Sequence, residues 1–267
     1  MIDRIRIEPG KRPKLAERDP GDTLGLESKE QAKEHLAELV ARLERLQRRL
    51  FAEARRGVLL VLQGLDASGK DGVIRAVFEG VNPQGCHVTS FKAPTSTELA
   101  HDYLWRVHAA CPARGEIGIF NRSHYEDVVA VRVLELAPKE IWSRRPAQIR
   151  EFERLLSDEG TTLVKVFLHV SKEEQAERFR ERIANPEKRW KFRKADLDVH
   201  ARYDGYLAAY EDVIADTSTE WAPWHVVPAD RNWVKATAVA TLLVHILERL
   251  DPQFPPAEAG IESLRFE

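Results

Sequence analysis

The sequence is poor in cysteine and has no excess charge of either sign. Only Cys86 and Cys111 occur in 267 residues, and they form no CxxC pair. That argues against a disulfide scaffold and fits a reduced compartment. Lysine and arginine total 41, aspartate and glutamate 43, so the formal net charge is -2. A protein that coats nucleic acid carries a clear basic excess, so that class is set aside, although a local basic channel is not. No apolar run approaches the roughly 20 residues of a membrane span. Residues 1–25 hold no apolar stretch of the kind a secretory signal needs. The expected location is the cytoplasm, with no nucleic-acid partner and no membrane partner. There is also no internal repeat and no linker. What remains is a globular composition, 43% hydrophobic and 31% charged.

Residues 1–27, with Pro9, Pro13 and Pro20 among charges, read as an irregular arm, and residues 28–267 as one domain. Ser28 offers an N-cap with Gln31 as box partner. The helix that follows, to Arg55, carries a stripe of Leu36, Leu39, Val40, Leu43, Leu46, Leu50 and Phe51. That stripe suits packing inside the fold or against another subunit, and Gly57 is expected to end the helix. Strands are expected at 58–63, 87–91, 116–120, 162–170 and 224–228. Helices are expected at 73–81, 95–110, 123–136, 146–160, 171–185 (Ser171 and Glu174 as a capping box), 199–217 and 233–250. The alternation implies βαβ units: an α/β fold of three layers, α/β/α, around a five-stranded parallel sheet.

Gly64-Leu65-Asp66-Ala67-Ser68-Gly69-Lys70 matches GxxxxGK between a buried strand and a helix. Gly64 and Gly69 permit backbone angles that turn successive N–H groups inward, Ala67 and Ser68 among them. The helix N-terminus adds its positive end, and Lys70 supplies a point charge. Asp71 stands where Ser or Thr usually offers a hydroxyl to magnesium. Asp66 places an acid in a cradle for anions, so a cation must lie between it and phosphate. We read it as a magnesium ligand; the alternative is a side chain that caps its own turn.

The third strand runs into Asn121-Arg122-Ser123-His124-Tyr125-Glu126-Asp127. The carboxyl ends of parallel strands form the ligand crevice, so this cluster is expected beside the phosphate loop. Arg122 can clamp a phosphate, and Glu126 and Asp127 are further carboxylates for a metal. Ser123 and Glu126 also fit an N-cap and its box partner. A basic run follows the fourth strand: Arg178, Arg180, Arg182, Lys188, Arg189, Lys191, Arg193 and Lys194. Arg178 and Arg182 share a helix face, and Asn185-Pro186 breaks the helix. We read 171–200 as a lid that delivers charge to a phosphoryl group; the alternative is a solvated basic face. Lys92 and Arg106 are further candidates at the sheet's rim. The tryptophans at 105, 190, 221, 224 and 233 suit base stacking or core equally.

The set GLDASGKDG, SFKAPT, LWRVH, GIFNRSHYEDV, NPEKRWKF and APWHVVPAD resembles the polyphosphate kinase 2 family from about Asp19 to Leu250. The resemblance implies a thymidylate-kinase-like P-loop core with a helical lid. It implies Mg²⁺-dependent phosphoryl transfer between inorganic polyphosphate and nucleoside mono- or diphosphates, and assembly as a homodimer or homotetramer. Many members that act on diphosphates alone carry FDRSWYNR at the second motif. Here Asn121 replaces the first Asp, and Glu126-Asp127 replace Asn-Arg, as in the subgroup that accepts both monophosphates and diphosphates. Carried over, Asp66, Lys70, Arg122, Glu126, Arg178 and Arg182 form the catalytic set, with Asp66 and Asp127 on the metal. The expected phosphate- or nucleotide-binding residues are Gly64, Ala67, Ser68, Gly69, Lys70, Asp71, Lys92, Arg106, Asn121, Arg122, Lys188 and Arg189, of which Lys92 and Arg106 rest on their place at the sheet's rim. The rival expectations are an ATP-dependent nucleoside monophosphate kinase and a non-catalytic P-loop nucleotide sensor.

Overall fold

The protein is described from a computed structural model, which covers residues 1–261 and 264–265. The remaining residues of the expected 28–267 domain (262, 263, 266 and 267) lie outside the described residues. The strands are β1 (Arg6–Ile7), β2 (Gly57–Gln63), β3 (Cys86–Ser90), β4 (Ile117–Asn121), β5 (Thr161–His169) and β6 (Trp224–Pro228). The helices are α1 (Ile2–Ile5), α2 (Lys29–Glu53), α3 (Lys70–Val77), α4 (Ser96–Leu99), α5 (Trp105–Ala109), α6 (Glu126–Val133), α7 (Lys139–Trp142), α8 (Arg145–Asp158), α9 (Lys172–Ala184), α10 (Ala195–Ala201), α11 (Tyr203–Thr217) and α12 (Asn232–Leu250). Among the described residues, no helix is long and apolar enough to cross a membrane.

The sheet order is β1-β6-β5-β2-β4-β3. The five expected strands are parallel, but the sheet has a sixth strand. Arg6 and Ile7 of the arm pair antiparallel with His225 and Trp224. The expectation of an irregular arm is therefore corrected. Ile5, Ile7 and Leu15 are buried, and Ser218 Oγ donates to the Ile7 carbonyl at 2.7 Å. Burial of these side chains outweighs the charges between them.

Two helical layers cover the sheet. α2, α3 and α12 pack together on one face, and α6, α8 and α11 on the other. β2 is buried along its whole length, as its unbroken apolar run requires. α2 packs inside this chain through Ala32, Leu39, Leu43 and Leu50. It ends at Glu53, with Ala54 in the left-handed region (φ 51°), whereas Gly57 opens β2 and does not end the helix. The expected helix 95–110 is two pieces. Asp102 Oδ1 accepts from the Leu104 N–H at 2.9 Å, an Asx turn that restarts the chain. The expected helix 123–136 begins at Glu126. Ser123 Oγ accepts from the Tyr125 N–H (3.2 Å) and so closes a turn where a cap was expected. At the other expected caps, Ser28 and Ser171 each accept from the N–H three residues on, at 3.1 Å.

Alternation along β5 sends Lys165 and Phe167 toward the α8/α11 layer. Phe167 meets Tyr210 there, with ring centroids 4.4 Å apart. Lys165 is fully buried. It donates to Glu153 of α8 (2.6 Å) and to the Thr217 carbonyl (2.7 Å). Tyr125 also donates to Glu153, at 2.7 Å, and His124 lies 3.3 Å from it. Burial alone would push the Glu153 carboxyl up; Lys165 and His124 bring it below its ordinary value. Breaking one partner of such a pair leaves a lone buried charge, at a cost of about 3–5 kcal/mol. Lys165→Met is expected to lose that much in urea unfolding, and adding Glu153→Gln is expected to recover more than half of it.

Candidate phosphate-binding site

The site grows from the carboxyl ends of β2 and β4. Register pairs Leu62 with Asn121, so both strands end at the same level. Beyond β2 the chain turns sharply. A Cβ on Gly64 would come within 2.8 Å of the Leu168 carbonyl, and one on Gly69 within 2.3 Å of Lys235 Nζ. Ala67 is left-handed (φ 66°), as is Gly69 (φ 96°). Gly69 is the N-cap residue of α3 and has no side chain to close it, so the first-turn N–H groups remain available to an anion.

Lys70 is buried against the loop, donating to the Gly64 carbonyl at 2.7 Å and the Leu65 carbonyl at 3.2 Å. Burial, and then the nearby Arg122 charge, push its ammonium down to about 8, against the pull of Asp66 and Glu126. At the end of β4, Arg122 adopts φ 62°, and its N–H bonds the Leu62 carbonyl at 3.0 Å. One side of its guanidinium donates to Asp66, and the other lies 3.3 Å from Glu126. Glu126, against burial, and then Asp66 hold Arg122 firmly protonated. Burial raises the Asp66 carboxyl, but Arg122 and Lys70 outweigh it and keep the carboxyl below its ordinary value. Oriented to satisfy both neighbours, the Gln63 amide donates to Glu126 (2.9 Å) and accepts from Ser123 Oγ (3.0 Å).

Among the described residues, no group of three or more His, Cys, Asp or Glu side chains is gathered to hold a metal alone. Mg²⁺ needs only one or two carboxylates beside phosphate oxygens and water. Asp66 offers one such carboxylate at the loop, and Glu126 a second across the Arg122 guanidinium. Asp127 points elsewhere. Its Oδ2 is buried 3.7 Å from Arg106, burial raises its carboxyl, and Arg145 donates to its carbonyl.

The other expected residues divide. Asp71 accepts from the Asn121 amide (2.7 Å) and lies 3.5 Å from Lys191, so one carboxylate joins α3, β4 and the basic segment. Arg182 is near enough to Asp66 to lower its pKa. Lys188 and Arg189 are exposed, and Arg189 donates to the Ile183 carbonyl at 2.8 Å. Arg106 donates to the Lys92 carbonyl (2.9 Å) and stacks over Phe91, while Lys92 itself is exposed. Of the tryptophans, Trp224 is wholly core.

Arg178 is engaged throughout. It donates to the carbonyls of Ala67 (2.8 Å), Ser68 (3.2 Å), Ala229 (2.8 Å) and Asp230 (2.6 Å), and to Glu174 (2.8 Å). It positions the loop from behind. Gln175 does the same, donating to the Asp66 carbonyl (2.9 Å) and accepting from His200 Nδ1 (2.7 Å). Lys235 also reaches the loop, donating to the Ser68 carbonyl at 2.8 Å. Sequence reasoning missed Gln175 and Lys235. The one available signal for Lys235 was a lone lysine in the apolar run of WVKATAVATLL.

The family profile described as Polyphosphate kinase 2 (PPK2) matches residues 26–255. The chain is 53% identical to an AMP/ADP-polyphosphate phosphotransferase of Meiothermus ruber over the whole of both chains. It is 47% identical to an ADP-polyphosphate phosphotransferase of Rhodopseudomonas palustris, over 86% of this chain and 83% of the relative. The crystal structure of polyphosphate kinase 2 from Arthrobacter aurescens TC1 superposes with a TM-score of 0.94 at 42% identity, covering 98% of this chain and 93% of that one.

The Asn121–Asp71 contact has a checkable consequence. In wild type, burial raises the Asp71 carboxyl, but the Asn121 amide and Lys191 hold it below its ordinary value. Asn121→Asp would set two carboxylates against each other and raise the pair's pKa. Stability lost by a raised carboxyl goes as pH climbs through and above the unfolded value. The melting-temperature gap between wild type and Asn121→Asp is expected to widen from pH 4 to 8.

Proposed function

The chain belongs to the polyphosphate kinase 2 family and is a kinase; on that basis we propose that it transfers the terminal phosphoryl group of inorganic polyphosphate to AMP and to ADP, giving ADP and ATP. The observation that carries the reading is the clasp of Asp66 and Glu126 on Arg122 beside Lys70. It sets two carboxylates and two cations where a phosphate chain would lie. The dual acceptor is supported by the relative from Meiothermus ruber, and by Asn121 and Glu126 in place of the residues of the diphosphate-specific motif.

A terminal phosphate oxygen of the nucleotide attacks the end phosphorus of the polymer. The bond from that phosphorus to the bridging oxygen breaks, and the polymer leaves one unit shorter with the electron pair. The attacking oxygen is already anionic, so no strong base is required. Rate enhancement comes from alignment and from charge neutralisation. Lys70 and the N–H groups of the loop hold the donor phosphates. Arg122 spreads its charge over the transferring group. Arg182 and the exposed basic residues of 188–194 serve as a lid over the polymer. Asp66 and Glu126 would hold Mg²⁺, which supplies charge neutralisation between phosphate oxygens; we assign Glu126 this role in preference to Asp127. One phosphoanhydride replaces another, so the reaction is reversible.

ATP formation from ADP with polyphosphate as sole donor is the deciding assay. Turnover only with ATP as donor would make the protein a nucleoside monophosphate kinase. Lys70→Ala and Asp66→Asn are each expected to lower turnover by about two orders of magnitude or more, with melting temperature retained. Near-normal turnover of Asp66→Asn would remove the metal role. Asn121→Asp combined with Glu126→Asn is expected to depress AMP use more than ADP use. Equal losses would separate those positions from acceptor choice.

A further inference from the structure

Lys235 enters from α12 and is 1% exposed. Its Nζ donates to the carbonyls of Ser68 (2.8 Å) and Ala229 (3.0 Å). Arg178 already donates to those same two carbonyls, at 3.2 Å and 2.8 Å. Two cations thus share one pair of acceptors. Both cations therefore support the loop from the α9 and α12 side, through the Ser68 carbonyl. Lys235 is so close to Gly69 that a methyl group there would fall 2.3 Å from its nitrogen.

This arrangement is unusual for a structural lysine. Burying an ammonium costs several kcal/mol unless a counter-charge or necessary hydrogen bonds offset it. The hydrogen bonds are redundant: without Lys235, both carbonyls would keep their Arg178 donors. The counter-charges are engaged elsewhere. The charged groups facing Lys235 are Arg178 and Glu174 from α9, Asp230 from the turn before α12, and Lys70 from α3. Glu174 is bonded to Arg178, and Asp230 accepts from the Ser171 N–H at 2.8 Å. Three cations therefore converge on one glycine-rich turn, with two occupied carboxylates among them.

We propose that Lys235 is a positioning residue for the phosphate chain: its charge, acting through the loop at Gly69, draws a polyanion into the cradle, and the polyanion relieves the repulsion among Lys235, Arg178 and Lys70. The inference rests on the phosphate-binding reading of the loop. Burial and then Arg178 push the Lys235 ammonium down to about 7.

The test is calorimetric binding of inorganic tripolyphosphate to wild type, Lys235→Met and Lys235→Gln, with melting temperatures of the ligand-free proteins. Gln offers a neutral N–H donor in place of the charge. Both variants are expected to bind about tenfold more weakly or worse. Both are expected to melt within about 2 °C of wild type, or above it. Recovery of affinity in Lys235→Gln would make the hydrogen bond, not the charge, the operative feature and overturn the proposal. A lowered melting temperature that tracks the loss of affinity would reduce Lys235 to a structural residue. Unchanged affinity in both variants would overturn the proposal and leave the phosphate-loop reading intact. Wild type that fails to bind tripolyphosphate would overturn that reading, and this inference with it.

Discussion

The site depends on one guanidinium held between two carboxylates. An acid in a phosphate-binding loop repels the ligand that the loop exists to hold, and Asp66 is such an acid. Arg122 reaches it because Leu62 and Asn121 are paired in register, which brings the end of β4 level with the start of the loop. The left-handed turn at Arg122 then directs the side chain back across β2, while its N–H stays bonded to Leu62. Glu126, one helical turn on, takes the other side of the guanidinium. A shift of register by one residue would carry Arg122 and Glu126 together away from Asp66. The parallel pairing of β2 and β4 is therefore as much a part of the chemistry as Lys70.

Much of this was legible in the sequence, for definite reasons. A continuous apolar run followed by GxxxxGK fixes both a buried strand and the loop after it. A polar cluster after EIGIF had to fall at the same sheet end. The need for a cation beside Asp66 was also readable, but the structure supplies Arg122 as its contact. Other features were masked. Ile5 and Ile7 alternate with Arg4 and Arg6 in a stretch too short for periodicity, so the edge strand read as an irregular arm. The break at Asp102 is a single side-chain-to-backbone bond, which competes with helix only once the tertiary fold has placed the flanking turns. Arg178 was visible as a cation at lid spacing, yet its fate depends on four carbonyls drawn from two loops, at 67–68 and 229–230. No local pattern encodes that meeting.

The basic segment consequently splits into a root and a tip. At the root, Gln175 and Arg178 are bonded to the backbone of the phosphate loop, and His200 on the returning helix is bonded to Gln175. At the tip, Lys188, Arg189, Lys191, Arg193 and Lys194 are exposed. A contact such as Lys191 to Asp71, at 3.5 Å and with both side chains open to water, is worth little and exchanges readily for another anion. The root's hydrogen bonds, made by partly buried side chains to carbonyls, do not. The break at Asn185-Pro186 lies between the two regimes.

This division gives the balanced charge of the chain its meaning. A net charge of -2 reports nothing about where charge is concentrated. Lys165, fully buried outside the site region, carries its own carboxylate, Glu153, at 2.6 Å. At the phosphate loop the pairing is incomplete, because Arg178, Lys235 and Lys70 crowd one turn, and Glu174 and Asp230 beside it are already bonded elsewhere. An incompletely neutralised cation is costly in a fold unless a ligand completes the pairing, so the cost is confined to the one place where an anion can arrive. The field that a phosphate chain meets at the loop is thus set by the placement of a handful of cations, not by the sum of all of them.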